Sequence, residues 1–305
     1  MPPVLQTLLN PVLPVFAILG VGMLFARQGL FDAAAAGMLN RFVLFISLPT
    51  MLFGLLSRVD IAHFQWHVLG GYFVSEALVY AAGAALARFV FRRGWREALL
   101  LGMTASFVNH VLFVLPMAHI LYGEAAGAPI AGIITIDAAL IFSAHIVGLE
   151  LAEHGRGSWR LATRQLVGHP LLLAIAAGLT VNLLRVPLHA GIGTFTSFVG
   201  ATAAPVALFA LGIMLSASGA CKRDGAAWGI AGIKVVLHPM LAWSLLAQLP
   251  AAAVGWHDPA LLVAAGPCGA MPFALALRYG VPVASIARAI VYSTMASLLT
   301  LSLMA

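Results

Sequence analysis

The chain reads as an all-α membrane protein, with ten transmembrane helices in two inverted five-helix repeats. Three observations predict this. Of the 305 residues, 62% are hydrophobic and 9% are charged, where a soluble domain carries about 25% charged residues. Ten apolar segments are long enough to cross a bilayer. Two of those segments, one in each half, are interrupted by helix-breaking residues. A core of this size cannot hide so much apolar surface, so lipid is the expected solvent.

A span needs about 20 mostly apolar residues. The segments that qualify are 9–26, 38–57, 66–91, 98–122, 127–152, 168–184, 193–217, 227–251, 258–279 and 284–304. No basic stretch precedes the first of them, so it reads as a retained span rather than a signal peptide. The connections are short and leave no room for a soluble domain. The net charge of +6 sits in these loops and sets orientation; it does not indicate nucleic-acid binding. Arg27, Arg41, Arg88, Arg92, Arg93, Arg96, Arg156, Arg160, Arg164, Lys222, Arg223, Arg278 and Arg288 fall on one side, against Arg58 and Arg185 on the other. Cytoplasmic loops carry the excess of Lys and Arg. Both termini are therefore expected outside the cytoplasm, with the protein in the cell's inner (plasma) membrane.

Ten spans divide as five plus five, 1–155 and 156–305. An odd number per half makes the second repeat enter from the opposite side. Pro49-Thr50-Met51-Leu52-Phe53 in span 2 is echoed by Pro205-Val206-Ala207-Leu208-Phe209 in span 7. Pro11 and Pro170 open spans 1 and 6. Spans 4 and 9 are the interrupted pair. Span 4 carries Asn109 and Pro116; span 9 carries Gly266, Pro267, Gly269 and Pro272 within seven residues. Proline removes a backbone donor and clashes with the preceding turn. In lipid, exposed backbone is tolerated only where it is buried in protein or lines a cavity. Paired interrupted spans point to the substrate site of a secondary transporter.

These residues resemble the auxin efflux carrier family of secondary transporters, over nearly the full length. The resemblance rests on Asn109 with Pro116 and Tyr122-Gly123, on Ala203-Ala204-Pro205 with Leu208-Phe209-Ala210-Leu211-Gly212, and on Pro267 with Arg278-Tyr279-Gly280. Ser293-Thr294 with Ser297 in the last span completes it. It implies ten spans, inverted repeats and movement of small organic acids, as in bacterial malonate-type permeases. It implies a scaffold of spans 1–2 and 6–7 (residues 1–65 and 156–218) beside a mobile transport unit of spans 3–5 and 8–10 (66–155 and 219–305). Spans 4 and 9 would cross at their breaks, as in the bile-acid/sodium symporters. The chain departs from bacterial members in Cys268-Gly269-Ala270-Met271-Pro272, which is nearly apolar.

Candidate site residues follow. Asn109 offers a carboxamide to a bound anion; as a bland alternative, it caps a half-helix. Pro116, Gly266, Pro267, Cys268, Gly269 and Pro272 would shape the crossover. Half-helix amino ends there would present partial positive charge. Asp137 and Glu76 are the acids well inside spans, where a charge costs at least about 2.5 kcal/mol. They are candidates for carrying a coupling proton, with a static ion pair as the alternative. His145 is a possible relay or a simply hydrogen-bonded ring. Lys234 and His238 share one face of span 8, and Lys234 is expected to snorkel to the cytoplasmic side. No cation is expected at the break. Met214, Met271 and Met295 read as packing.

Cys221 and Cys268 form no zinc or disulfide framework, and no metal or cofactor is called for. H-E-x-x-H, G-x-S-x-G and P-loop patterns are absent. The sequence thus predicts a non-enzymatic carrier of small carboxylates such as malonate or malate, coupled to H⁺ or alternatively Na⁺, and able to pair with a second copy through its scaffold helices. A membrane-embedded enzyme or a channel are the competing classes.

Overall fold

In the computed structural model, residues 3–59, 61–154, 168, 170–217, 224–249 and 254–302 are described. Among them the structure is helical throughout, apart from one isolated backbone bridge. The loop arginines Arg156, Arg160 and Arg164, together with Cys221, Lys222 and Arg223, lie outside the described residues.

The first half contains α1 (Pro3–Arg27), α2 (Ala33–Phe42), α3 (Leu48–Leu56), α4 (Trp66–Ala85), α5 (Trp95–Ser106), α6 (Leu115–Tyr122), α7 (Gly127–Ile136) and α8 (Ser143–His154). The second contains α9 (Pro170–Leu183), α10 (Ala190–Gly200), α11 (Ala203–Ala217), α12 (Gly225–Gly232), α13 (His238–Leu246), α14 (Val254–Ala265), α15 (Met271–Arg278) and α16 (Ala284–Ser302). Five stretches are long and apolar enough to cross a membrane: Ala33–Leu56, Trp66–Val90, Gly127–Leu149, Ala190–Ser216 and Gly225–Leu246.

Widened π turns recur inside these stretches, at Val43–Ser47, Leu86–Val90, His110–Val114, Asp137–Phe142 and Ile233–Leu237. Pro49, Pro116 and Pro239 each stand second after such a turn. Proline cannot bond the carbonyl four residues back and crowds it. A π turn moves that carbonyl away, so the helix bends without ending. This revises one expectation. The chain is helical through Pro116, and the interruption in that span lies upstream, at residues 107–109. Pro272 instead sits in the first turn of α15, where its missing N–H costs nothing. The two prolines are therefore not equivalent relative to the two interruptions.

Packing sorts the helices by neighbour. Helix α11 lies against α1 and α2, and α3 against α9 and α10. Helix α4 lies against α5 and α13, α13 against α14, and α12 against α16. Glycine sets the closest contact of the first group. A Cβ at Gly22 would stand 2.4 Å from the Phe209 carbonyl oxygen, and one at Gly212 2.2 Å from that of Leu19. Backbone meets backbone there, with no side chain between.

Candidate functional site

The geometry is built on two interruptions that touch. Helix α5 stops at Ser106 and the chain resumes helical form at His110; α14 stops at Ala265 and α15 starts at Met271. Between them Val108 and Cys268 form an antiparallel bridge. The Asn109 N–H donates to the Pro267 carbonyl at 3.0 Å, and the Gly269 N–H to the Phe107 carbonyl at 2.8 Å. Each broken segment thus satisfies backbone groups of the other, which an apolar surrounding demands. Gly269 has no room for a side chain: a Cβ would lie 2.7 Å from the Val108 carbonyl oxygen. Gly266 is held as closely, 2.7 Å from Val114 Cγ2 and 2.8 Å from Val108 Cγ1. The Cys268 N–H donates to Ser293 Oγ at 3.0 Å, so α16 braces the crossing.

A cavity of ≈ 90 Å³ opens beside the crossing. That is room for several waters or one small solute. One wall is made by the turn after α2, by α3 and by α11, through Val43, Leu48, Met51, Ala203 and Ala207. The other is made by the crossing and the π turn after α7, through Phe107, Asn109, His110, Asp137, Ala270 and Met271. The chain at His110 and at Met271 begins a helical segment, so unbonded N–H groups gather on this wall. The cavity is otherwise apolar. Its described polar side chains are Asn109, His110 and Asp137. Asn109 is half-buried, and its carbonyl accepts from the Val114 N–H at 3.2 Å.

His110 was not singled out from the sequence. Its Nε2 lies 3.0 Å from Asp137 Oδ2, and both side chains are buried. The ring N–H does not point along that line, and Nε2 and both Asp137 oxygens lack a hydrogen-bond partner. Glu76 is fully buried on α4, with its carboxyl in hydrogen-bonding reach of that of Asp137 and in electrostatic reach of Lys234.

Lys234 corrects two expectations. It does not snorkel; its side chain is 0% exposed. It is also the cation at the break. Its Nζ donates to the Ser106 carbonyl at 3.3 Å, to the Ala264 carbonyl at 3.3 Å and to His238 Nδ1 at 2.7 Å. Ser106 ends α5 and Ala264 is next to last in α14, so the ammonium sits between two helix carboxyl ends. Those ends carry partial negative charge, which explains how a lysine can be buried so deeply.

His145 is not part of this assembly. Its Nδ1 bonds the Ile141 carbonyl at 2.6 Å, its ring stands edge-on to Tyr80, and it lines a second small cavity with Ala77 and Leu99. Two contacts cross the first cavity's walls instead. Asn40 Nδ2 on α2 donates to the Ala274 carbonyl on α15 at 3.0 Å, and the Arg278 guanidinium lies 5.3 Å from the Phe45 ring.

Comparison with known proteins gives the family. A family model described as "Membrane transport protein" matches residues 7–157 and 152–305, nearly the entire chain. The chain belongs to this auxin efflux carrier-type membrane transport family. It is therefore a multi-pass membrane transport protein. A protein of Rhizobium meliloti (strain 1021) named "Putative malonate transporter" is 29% identical over 303 positions, covering 95% of this chain and 92% of the relative. An "Uncharacterized transporter" of Methanothermobacter thermautotrophicus (strain Delta H) is 24% identical over 294 positions, covering 96% and 95%.

Proposed function

We propose that the chain is a secondary active transporter of small organic anions, carboxylates of the malonate or malate kind, working by elevator-like alternating access in the plasma membrane. The observation that carries the reading is the cavity beside the crossing. It lies between two sets of helices that pack among themselves, and it is lined by Asn109 and His110. A carboxylate there meets an amide, an imidazole and backbone N–H groups at the starts of helical segments. Helix ends contribute about 0.3–1 kcal/mol each, or about 2 when partly buried. The relative named for malonate fits this chemistry.

In this reading the interrupted segments are spans 4 and 9 of ten, in inverted repeats 1–155 and 156–305. Residues 1–65 and 156–218 form the scaffold, and residues 66–155 and 219–305 carry the substrate past it. Both termini lie outside the cytoplasm. Exposed apolar residues on the scaffold, such as Phe195 and Phe198, face lipid or a second copy. Coupling is to protons, with Asp137 and Glu76 as their carriers and His145, which lines a separate small cavity, as a third candidate. Sodium coupling is the weaker alternative. Unwound carbonyls suit Na⁺, but the Lys234 ammonium already fills that role at Ser106 and Ala264.

Thermal denaturation of the purified protein with acetate, malonate, malate, phosphate and choline tests the reading. Ligands that bind only the folded state raise the midpoint. Stabilisation by carboxylates and not by choline is expected; stabilisation by the cation alone would refute an anion site.

A further inference from the structure

Among the described residues lining the cavity, His110 is the one able to carry positive charge and Asp137 the one able to carry negative charge. They lie 3.0 Å apart and are buried, with no well-directed hydrogen bond between them, and the Asp137 carboxyl also meets that of Glu76. Buried polar groups are normally satisfied; a titratable pair with no directed hydrogen bond between its members is unusual, and here both residues contribute to the cavity lining.

We propose that His110 and Asp137 form a joint site for the substrate carboxylate and its coupling proton. This rests on the carboxylate reading and names its machinery. With one proton between them the pair is neutral overall. An anion entering an apolar cavity would then leave one negative charge uncompensated, which is expensive in a low-dielectric site. A second proton on the pair, giving imidazolium and neutral carboxylic acid, cancels that charge. The imidazolium N–H then donates to the substrate carboxylate, and the Asp137 acid no longer repels it. When the anion leaves, the extra proton leaves with it. Protons alone move, one for each anion accommodated, and no bond to carbon changes.

The surrounding groups are compatible with this. Glu76 and Tyr72 on α4 and Lys234 on the turn after α12 face the same cluster, Glu76 in hydrogen-bonding reach of Asp137. His238 on α13 accepts from Lys234, so its proton sits on the other nitrogen and adds no charge. Phe107, edge-on to the His110 ring with centroids 5.7 Å apart, fixes the ring plane.

Calorimetric titration of the detergent-purified full chain with malonate, and separately acetate, tests the proposal. Each titration is run near neutral pH in two buffers of different ionisation enthalpy, which reveals protons taken up. The wild type is expected to take up about one proton per anion bound, malonate or acetate alike. His110→Gln should lower malonate affinity by at least about tenfold, a lost charge-assisted hydrogen bond, and abolish most of the uptake. Asp137→Asn should also reduce proton uptake while leaving affinity equal or higher, so the proposal does not hang on one variant folding. Wild-type binding without proton uptake, or unchanged uptake and affinity in His110→Gln, would overturn the joint site and leave the anion carrier standing. A folded wild type that binds neither malonate nor acetate would overturn the carboxylate reading and this inference with it.

Discussion

Asn109 and Lys234 both bond backbone at the same crossing, and their surroundings assign them different work. Asn109 begins a helical segment and faces the cavity. Its truncation to alanine should weaken carboxylate binding by about 1–3 kcal/mol, the usual cost of leaving a buried charged partner short of a hydrogen bond. Asn109→Asp should be worse, because it sets like charge against the ligand. Direct titration of binding checks both. Lys234 instead closes two helix carboxyl ends. Lys234→Met keeps the stem's volume but strips the Ser106 and Ala264 carbonyls of their donor and leaves Glu76 facing Asp137 without a cation. Removing one partner of a buried charged group typically costs about 3–5 kcal/mol. The variant should show a large loss of thermal stability before any question of transport arises. A normal melting temperature would remove Lys234 from the architecture of the crossing.

At the scale of elements, the crossing depends on backbones coming close, and the helix joints depend on caps. Gly269→Ala would drive a Cβ to 2.7 Å from a carbonyl oxygen. Overpacking of this kind costs about 1–3 kcal/mol, and here it also pries apart the bonds between Asn109 and Pro267 and between Gly269 and Phe107. Transport should fall sharply, while Gly70→Ala, whose new Cβ meets nothing within 4 Å, should be benign. Equal behaviour in a transport assay would contradict the tight crossing. Asp224 caps α12. Its Oδ1 accepts from the Ala226 and Ala227 N–H groups, and its Oδ2 from Ser285 at 2.8 Å and Arg288 at 3.1 Å, with Arg93 3.7 Å from Oδ1. Burial alone pushes this carboxyl up. The hydrogen bonds from Ser285, Ala227 and Arg288, with the charge of Arg93, outweigh burial and hold it below the ordinary aspartate value. A depressed value in the folded state means stability that is present above the unfolded value, about 3.9, and lost as pH falls through the folded one. Asp224→Ala should cost about 0.5–2 kcal/mol from the cap alone. Melting curves should show the gap to wild type narrowing as pH drops below the ordinary carboxylate value.

The interruption between α14 and α15 was legible because Gly266, Pro267 and Gly269 crowd into an apolar run, a purely local signal. Asn109 was legible for the same reason. His110 and Lys234 were not, because their meaning comes from partners far along the chain. A lysine near the end of an apolar helix reads the same whether it snorkels or meets Ser106 and Ala264. A histidine beside Asn109 gains a role only once Asp137 is folded against it. Pro116 misled for a third reason: a π turn absorbs a proline that sequence alone marks as a break.

At the scale of the whole molecule, two sets of helices meet across one cavity, and Asn40–Ala274 and Arg278–Phe45 join them. In the proposed elevator motion such contacts would break and re-form as one set slides past the other, while Lys234, the crossing and its cavity wall would travel together. In the proposed reading the energy for net movement comes from an ion that binds with the substrate. The most direct test is uptake of radiolabelled malonate by proteoliposomes holding the purified chain, with a pH gradient imposed in the absence of sodium. The account predicts saturable accumulation above equilibrium that collapses with a protonophore and is lost in Asn109→Asp. Accumulation that ignores the pH gradient and needs sodium, or no carboxylate uptake by folded protein, would contradict it.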